Sequence, residues 1–555
     1  MAKYVLGMDF GTLSARALVA EVGTGRELGT ATMEYRHAVM DRQLPGGKIL
    51  PPDFALQHPQ DYIDCMKAII PQAIASAGIE KDDIIGLGLD FTSCTIVPVD
   101  ENGTPLCMKA EWADEPHAYF KLWKHHGAQE EANRMTELAL QREEKFLARY
   151  GGKVSSEWML PKVWETLRRA PQVYQAADSF MEAGDWLVFL LTGKRTHNCT
   201  MAGYKAMWHK REGYPSKEYL RALDPRLENV FEEKYPGEVL PVGTCAGTVT
   251  EKAAREFGLP QGCAVAVANI DAHVSLPPAG LTGSGEMLMI MGTSTCHIML
   301  GDEEKVVPGM CGAVEDGVVP GLIGFEAGQS CVGDHFDWYV KNCLHAAYAA
   351  EAEARGISPH VLLSEKAGAL RPGESGLVAL DWWNGNRSVL VDVDLTGLMI
   401  GLTLQTRPEE IYRALIEATA YGTRKIIDTF EQSGVGIQAL YACGGISQKN
   451  ALMMQIYADV TGRSIRIARS KQTPALGSAM FGAVAAGSAR GGYDTIQDAA
   501  REMGGTLDIV YEPVPEHRAV YEQLYAEYER LHDLFGRGEE DMMKRLKAIR
   551  NRARA

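Results

Sequence analysis

The sequence predicts an α/β protein in which two similar domains face each other across a central cleft. Its 555 residues exceed the roughly 250 to 300 at which a single hydrophobic core stops growing, so two large domains are expected. Residues 3–22 and 286–300 each read as a strand, a tight bend and a second strand. This repeat indicates duplication of one fold, with the cleft between the two bends.

The composition, 46% hydrophobic and 23% charged, is that of a globular enzyme. A net charge of −16 disfavours nucleic acid and anionic membranes as partners. The basic run 544–554 could contact an anionic partner, with disorder or helix capping as the alternative. Because the chain as a whole is acidic, an anionic ligand would have to be held locally, by backbone N–H groups or a metal ion.

The eleven cysteines are scattered singly, without a C-x-x-C pair, which favours reduced thiols in a cytoplasmic protein. The N-terminus shows no signal-peptide pattern, and no uninterrupted apolar run approaches about 18 residues. We therefore expect neither export nor a membrane span. The oligomeric state stays open, with a homodimer among the states allowed.

The first bend carries the residue types that hold phosphate. Gly11 would let a phosphate approach the backbone, and Thr12 and Ser14 would offer hydroxyl donors. Asp9 could hold a hydrated Mg²⁺ beside the phosphates. An ordinary tight hairpin explains the same six residues.

Further elements of the first half follow from apolar spacing. Residues 84–89 and 96–99 are predicted to form another hairpin around the bend at 90–95. Residues 60–77 and 155–169 have the spacing of helices.

Asp271 follows a predicted buried strand at 263–268. Phosphorylation of an alcohol needs a carboxylate within hydrogen-bond reach of the attacking hydroxyl, and Asp271 is placed to be that base. Capping of a helix N-terminus explains an aspartate there equally well. The run 277–280 marks the predicted boundary and hinge between domains 1–280 and 281–555.

In the second half, Gly292 and Thr293 repeat the donors of the first bend without the acid, so the two bends could hold a polyphosphate from opposite walls. A strand at 439–443, the Gly444-Gly445 pair and a helix at 450–460 follow. Bare backbone at Gly444 and Gly445 suits a nucleotide base and ribose, with Asn450 available for a polar contact. A simple turn is the alternative. Neither a Walker A motif nor a G-x-G-x-x-G after a strand occurs, so a nucleotide would be bound by the paired hairpins.

A long pattern in the second half resembles a known family. Residues 397–402, followed after seven residues by 410–417, fit the C-terminal signature of the FGGY carbohydrate kinases. The N-terminal signature at 161–164 is one residue shorter than usual. The resemblance implies two ribonuclease H-like domains of the actin-like ATPase type, with ATP and Mg²⁺ as cofactors.

The resemblance also implies roles for particular residues. Asp271 would be the catalytic base, and Asp9 would lie near Mg²⁺. Phosphate contacts would come from Gly11, Thr12, Gly292 and Thr293. Domain 1–280 would hold the sugar, and domain 281–555 the nucleotide, ending in a helical tail from about residue 516.

Segments typical of one subgroup of this family recur along the chain: 58–59, 120–124, 155–158, 203–205, 292–296 and 324–330. They imply that the acceptor is L-ribulose and the product L-ribulose 5-phosphate, in L-arabinose breakdown. Thr92, Trp123, Lys205 and Glu326 are predicted to form the sugar pocket with Asp271. Core packing is an alternative role for Trp123.

Two other functions stay open at this point. A related kinase would act on D-xylulose, ribitol or glycerol. An actin-like ATPase would use nucleotide as a conformational switch and ignore sugars, although Asp271 and the C-terminal signature argue against it.

Overall fold

The computed structural model describes residues 2–554. Its strands are β1 (Tyr4–Phe10), β2 (Ser14–Glu21), β3 (Glu27–Glu34), β4 (Leu56–Gln57), β5 (Ile84–Phe91), β6 (Ile96–Val99), β7 (Phe120–Lys121), β8 (Ser179–Glu182), β9 (Thr196–Asn198), β10 (Glu238–Leu240), β11 (Cys245–Thr248), β12 (Ala264–Ala266), β13 (Asn269–Ile270), β14 (Glu286–Met291), β15 (Thr295–Gly301), β16 (Gly312–Glu315), β17 (Ile323–Gln329), β18 (Val378–Leu380), β19 (Leu398–Ile400), β20 (Ala439–Cys443), β21 (Ile465–Ala468) and β22 (Thr506–Tyr511).

The helices are α1 (Pro59–Ala77), α2 (Gln129–Gln141), α3 (Met159–Arg169), α4 (Pro171–Ala176), α5 (Ala183–Thr192), α6 (Cys199–Lys205), α7 (Lys217–Leu223), α8 (Val230–Lys234), α9 (Glu251–Phe257), α10 (Gly333–Asn342), α11 (Ala346–Ala354), α12 (Pro359–Gly368), α13 (Pro408–Gln432), α14 (Gly445–Lys449), α15 (Ala451–Thr461), α16 (Thr473–Ala486), α17 (Ile496–Met503), α18 (Pro515–Gly536) and α19 (Met542–Arg554).

Two large sheets repeat one topology. The first contains the order β12-β5-β1-β2-β3, and the second the order β21-β20-β14-β15-β17. In each sheet an antiparallel hairpin, β1–β2 or β14–β15, is extended by a parallel strand beside its first member, β5 or β20. The predicted α/β architecture and both predicted hairpins are therefore confirmed.

The third predicted hairpin is wrong. β5 runs on to Phe91 and pairs in parallel with β1, whereas β6 pairs with β7 and β8 in a separate small sheet. Between them Cys94 adopts a left-handed backbone conformation, with φ 59°, which redirects the chain. Apolar runs flanking a polar bend thus mark two strands without making them partners.

The predicted helices are present with shifted ends. α1 begins at Pro59 because the His58 side chain accepts a hydrogen bond from the backbone of Gln60, and it ends at Ala77, where the following Gly78 adopts the left-handed conformation. α3 begins at Met159, later than predicted, and the Gly-Gly segment opens α14 at Gly445. The tail is helical, as α18 and α19.

The two halves interlock through α16. This helix of the second half packs against β1 and β5 of the first sheet. The contact is close because glycines face it: a Cβ at Gly7 would lie 1.8 Å from the Ala475 carbonyl oxygen, and one at Gly88 2.1 Å from that of Ser478. The boundary near residue 280 stays a prediction.

Replacing Gly7 by Ala should destabilise the fold by about 1 to 3 kcal/mol or more, since overpacking forces the backbone of α16 to move. Gly23→Ala is the matched control, because a Cβ there meets nothing within 4 Å. Thermal unfolding of the two variants measures the difference. Equal midpoints would contradict the close packing of α16 on β1.

All eleven cysteines are free thiols. Within residues 2–554 there is no helix with both the length and the apolar character required for a bilayer crossing.

Candidate active site

Three aspartates converge at one edge of the first sheet. Asp9 lies near the end of β1, Asp90 near the end of β5, and Asp271 directly after β13. The parallel registers pair Asp9 with Asp90 and Asp90 with Asn269, and the Asp271 N–H donates to the Phe91 carbonyl at 3.2 Å. The carboxyl ends of parallel strands are where ligands bind in α/β sheets.

Asp271 has the properties of a general base. Burial, reinforced by the charges of Asp9 and Glu326, raises its pKa to about 7, against the opposing effects of the Ala272 N–H and Lys205. A base whose pKa is near the operating pH is efficient at accepting a proton. The short helical turn after it is capped at Ala272 without a side-chain hydrogen bond, so Asp271 does not act as a helix cap.

This pKa predicts the pH dependence of turnover. Asp271 accepts a proton only when it is ionised, so kcat/KM for the sugar should rise about tenfold per pH unit below pH 7 and level off above it. The ascending limb reports the free enzyme. A profile that is flat between pH 5.5 and 8 would contradict a base with a pKa of about 7.

Asp9 and Asp90 form a buried acidic pair that suits a cation. Burial raises the pKa of both carboxyls, and the charge of Asp9 raises that of Asp90 further. Arg16 Nη1 lies 3.5 Å from Asp9 Oδ2, and Ser478 Oγ donates to Asp90 Oδ2 at 2.6 Å, but Asp90 Oδ1 has no partner in the described chain. Arg16 is thus the one cation that contacts this pair of carboxyl groups within the described residues, and it cannot balance two negative charges.

The described residues do not gather three or more His, Cys, Asp or Glu side chains as a metal site. A magnesium ion beside Asp9 would thus be completed by phosphate oxygens and water, the arrangement Mg²⁺ prefers with nucleotides. The predicted role of Asp9 fits this donor set and stays a prediction.

The first bend is held rigidly by its carbonyl and hydroxyl oxygens. Gly11 N–H donates to the Ser14 carbonyl at 3.0 Å, and Gln57 Nε2 donates to the Thr12 carbonyl at 2.7 Å. Trp123 Nε1 donates to Thr12 Oγ1 at 3.1 Å. The N–H groups of Thr12 and Leu13 have no partner among residues 2–554, which leaves them available to an anion.

Trp123 therefore contacts the first bend through its indole N–H. Its side chain is half-buried and lies outside the hydrophobic clusters. A contact between Trp123 and the sugar stays a prediction. The structure shows the bond from its indole N–H to Thr12 of the first bend.

The second bend has a similar arrangement. Gly292 N–H donates to the Ser294 carbonyl at 2.9 Å, while the carbonyls of Gly292 and Thr293 accept from Gly333 and Val332 at the start of α10. The N–H groups of Thr293 and Ser294 have no partner within the described residues. They can therefore bind an anion as the first bend can.

Gly444 lies beside this bend, because β20 pairs with β14 as far as Cys443 and Ile290. With φ 93°, a Cβ at Gly444 would lie 2.4 Å from the Met291 carbonyl oxygen, whereas one at Gly445 meets nothing within 4 Å. Gly445 thus offers open space over bare backbone, as a nucleotide site requires.

Asn450 is largely committed to the helix that follows. Its Oδ1 caps α15 by accepting from Met453 N–H at 3.0 Å, and Nδ2 lies 3.5 Å from Ser364 Oγ. Because Nδ2 makes a single long contact while Oδ1 is firmly hydrogen-bonded, a nucleotide contact from Asn450 would come from Nδ2.

Lys205 and Glu326 form a buried ion pair that joins the two halves. Lys205 Nζ lies 3.1 and 3.0 Å from the two Glu326 oxygens. Burial lowers the pKa of Lys205, and the Glu326 charge more than compensates, so it lies above its usual range. Burial raises the pKa of Glu326, but Lys205 and His273 hold it below its usual range. Both groups are therefore charged.

This pair acts electrostatically on Asp271, so three predicted sugar-pocket residues belong to one neighbourhood. Thr92 follows β5, with its N–H bound to the Phe10 carbonyl at 3.2 Å and its hydroxyl 3.1 Å from Thr95 Oγ1. It lies just past the aspartate cluster.

Sequence reasoning missed Asp90, Arg16 and His273. Asp90 could have been found, because it interrupts an apolar strand near its end as Asp9 does. Arg16 faces Asp9 in the β1–β2 register, which follows once the hairpin is accepted. No sequence signal indicates that His273 Nε2 lies 3.5 Å from Glu326 Oε2.

Comparison with known proteins defines the class. The pattern of the FGGY family of carbohydrate kinases, N-terminal domain, matches residues 4–276, and that of its C-terminal domain matches residues 287–486. The chain belongs to the FGGY family of carbohydrate kinases, and it is an ATP-dependent sugar kinase.

Curated relatives narrow the resemblance. The ribulokinase of Halalkalibacterium halodurans is 55% identical over 99% of this chain and 98% of its own length. That of Geobacillus thermodenitrificans is 56% identical over 100% and 98%, and that of Mycolicibacterium smegmatis is 49% identical over 99% and 97%.

Solved structures share the fold. Xylulose kinase from Rhodospirillum rubrum superposes with a TM-score of 0.77 at 23% identity, covering 96% of this chain and 98% of its own. Plasmodium falciparum glycerol kinase with ADP superposes with a TM-score of 0.75 at 15% identity, covering 96% and 98%. The actin-like fold is thereby confirmed.

Proposed function

We propose that this protein transfers the γ-phosphoryl group of ATP to L-ribulose and forms L-ribulose 5-phosphate, in the breakdown of L-arabinose. The observation that carries the proposal is the buried Lys205–Glu326 pair beside Asp271, within a chain similar to ribulokinases over its whole length. The eleven free thiols fit a reducing compartment, the cytoplasm.

Asp271 performs the proton transfer. Its carboxylate accepts a hydrogen bond from the terminal hydroxyl of the ketose and takes the proton as that oxygen attacks phosphorus. The bond from phosphorus to the leaving oxygen of ADP breaks as the new bond to the sugar oxygen forms. Because phosphoryl transfer needs mainly positioning and charge stabilisation, one ionised base in line with the phosphate suffices.

The two bends hold the polyphosphate from opposite sides. The free N–H groups at Thr12 and Leu13 and at Thr293 and Ser294 donate to phosphate oxygens. Asp9 would hold Mg²⁺, which when bound neutralises charge on the β- and γ-phosphates. Gly444 and Gly445 leave room for the nucleoside beside the second bend.

The ion pair orients the acceptor and excludes water. Lys205 donates to, and Glu326 accepts from, the oxygens along the ketose, so each contributes a different hydrogen-bond polarity. Since the two residues come from different halves of the chain, a bound sugar touches both halves. Closure about the predicted hinge at 277–280 would then shield the phosphoryl group from hydrolysis.

Turnover with a panel of sugars tests the proposal. ADP release is followed by a coupled assay with L-ribulose, D-xylulose, ribitol and glycerol, with no sugar as the blank. We expect the highest kcat/KM for L-ribulose and little ATP hydrolysis in the blank. A preference for D-xylulose or a polyol would reassign the substrate, and sugar-independent ATP turnover would favour a switch ATPase.

A further inference from the structure

The Arg387 guanidinium has no protein partner in the part of the chain that the structure describes. Its side chain is half-buried, yet within residues 2–554 it makes no hydrogen bond and no ion pair. Buried Arg413 shows the contrast: it donates to Glu417, Tyr521 and two backbone carbonyls. A half-buried guanidinium without a protein partner keeps its N–H donors available to a ligand.

The backbone around Arg387 is fixed by hydrogen bonds. Ser388 N–H donates to the Gly328 carbonyl at 3.1 Å, and Gly328 N–H donates to Ser388 Oγ at 3.2 Å. Asn386 and Asp392 exchange backbone hydrogen bonds at 2.9 and 2.8 Å. The side chain is thus presented from a rigid segment docked on β17.

The strand register locates the guanidinium between the sugar pocket and the second bend. The Arg387 side chain passes over Gly328: a Cβ added at Gly328 would lie 3.0 Å from Arg387 Cδ and 3.4 Å from Arg387 Nη1. Gly328 is two residues after Glu326 on the same face of β17 and is paired with Cys296 of β15. A Cβ at Gly328 would also lie 3.2 Å from the carbonyl of Thr295, which follows the bend.

The surrounding charges do not neutralise Arg387. Burial lowers its pKa, but the negative charges nearby, those of Glu157 and Glu326 among them, more than compensate, so the guanidinium stays protonated. Glu326 is engaged by Lys205 at about equal distances through both oxygens. Neither it nor Glu157 lies within ion-pair distance of Arg387, so no carboxylate of residues 2–554 pairs with the guanidinium.

We propose that Arg387 donates hydrogen bonds to the phosphoryl group while it passes from ATP to the sugar. A guanidinium is planar and presents two parallel N–H donors, which matches two oxygens of a phosphoryl group. The charge on those oxygens is what a fixed cation stabilises in phosphoryl transfer. Arg387 remains protonated throughout, and the hydroxyl proton goes to Asp271.

The inference rests on the proposed phosphoryl transfer, so the sugar panel is run first on the unaltered protein. Should a sugar other than L-ribulose be preferred, the proposed substrate fails, and Arg387 is tested with the preferred sugar. A failure of the L-ribulose assignment can therefore be told apart from a failure of the role proposed for Arg387.

The test compares Arg387→Ala and Arg387→Lys with the control Arg371→Ala at an exposed position. We expect kcat to fall about 10²- to 10³-fold in both Arg387 variants, because lysine lacks the two-donor fork, with the sugar KM changed less than about threefold. Millimolar guanidinium ion should restore part of the kcat of Arg387→Ala. Thermal midpoints show that the variants fold.

Three results would overturn the proposal. A raised sugar KM with kcat retained would assign Arg387 to the sugar. Full activity in Arg387→Lys would show that charge alone matters. The third is recovery of the kcat of Arg387→Ala by a second substitution, Glu157→Gln, and not by guanidinium ion. It would show that Arg387 serves only to balance the charge of Glu157.

Discussion

Asp271→Asn should lower kcat by about 10⁴-fold, the upper end of what a general base contributes, while the Kd for MgATP changes less than about threefold. Asparagine keeps the shape of the side chain but cannot accept the proton of the attacking hydroxyl. A coupled ADP assay gives kcat, and calorimetric titration gives the Kd. The control is Asp508→Asn at an exposed position of β22, which should retain full activity.

The same substitution should stabilise the protein above neutral pH. Asp271 ionises near 7 when folded and near 3.8 when unfolded, so between these values the folded state binds more protons and the free energy of unfolding falls as pH rises. Above pH 7 the folded state bears the full free-energy cost of holding an ionised carboxylate in a buried position. Asparagine is neutral and does not bear this cost. A Tm that falls at pH 8, or a kcat near that of the unaltered protein, would contradict the assignment of Asp271.

Local patterns were enough to predict the bends. Asp9, Gly11 and Thr12 lie within one hairpin, and the antiparallel pairing of β1 with β2 is the shortest-range contact a sheet can make. The second bend followed because the same pattern recurs. Helix ends were predicted less well. α3 starts at Met159 and not at Ser155, although Val154 and Trp158 are already buried, so burial and apolar spacing do not fix where the helix begins.

Contacts between distant segments were not predictable in the same way. Asp90 was placed in a hairpin bend because pairing partners were chosen by proximity in sequence, whereas β5 pairs with β1 and β13. The closeness of α16 to β1 depends on glycines whose purpose appears only when Ala475 lies against Gly7. Parallel pairing and interlocking helices join distant residues, and periodicity carries no information about them.

Lys205→Met should destabilise the protein by about 3 to 5 kcal/mol, because it leaves the Glu326 carboxylate buried without its cation. Glu326→Gln removes the other charge and should also destabilise it. The double variant should recover part of the loss, since replacing a buried pair with neutral groups of similar volume is better tolerated than breaking it. Denaturant unfolding of the four proteins gives the coupling energy.

Sugar binding separates this pair from a purely structural one. Lys205 and Glu326 are proposed to supply opposite hydrogen-bond polarity to the ketose. All three variants, including the restabilised double variant, should therefore show a raised L-ribulose KM, whereas the Kd for MgATP should stay within about threefold. Lys48→Met at an exposed position is the control and should match the unaltered protein in stability and KM. A double variant that regains both stability and the original KM would show that the pair only holds the two halves together; one that regains stability alone would place the pair in contact with the sugar.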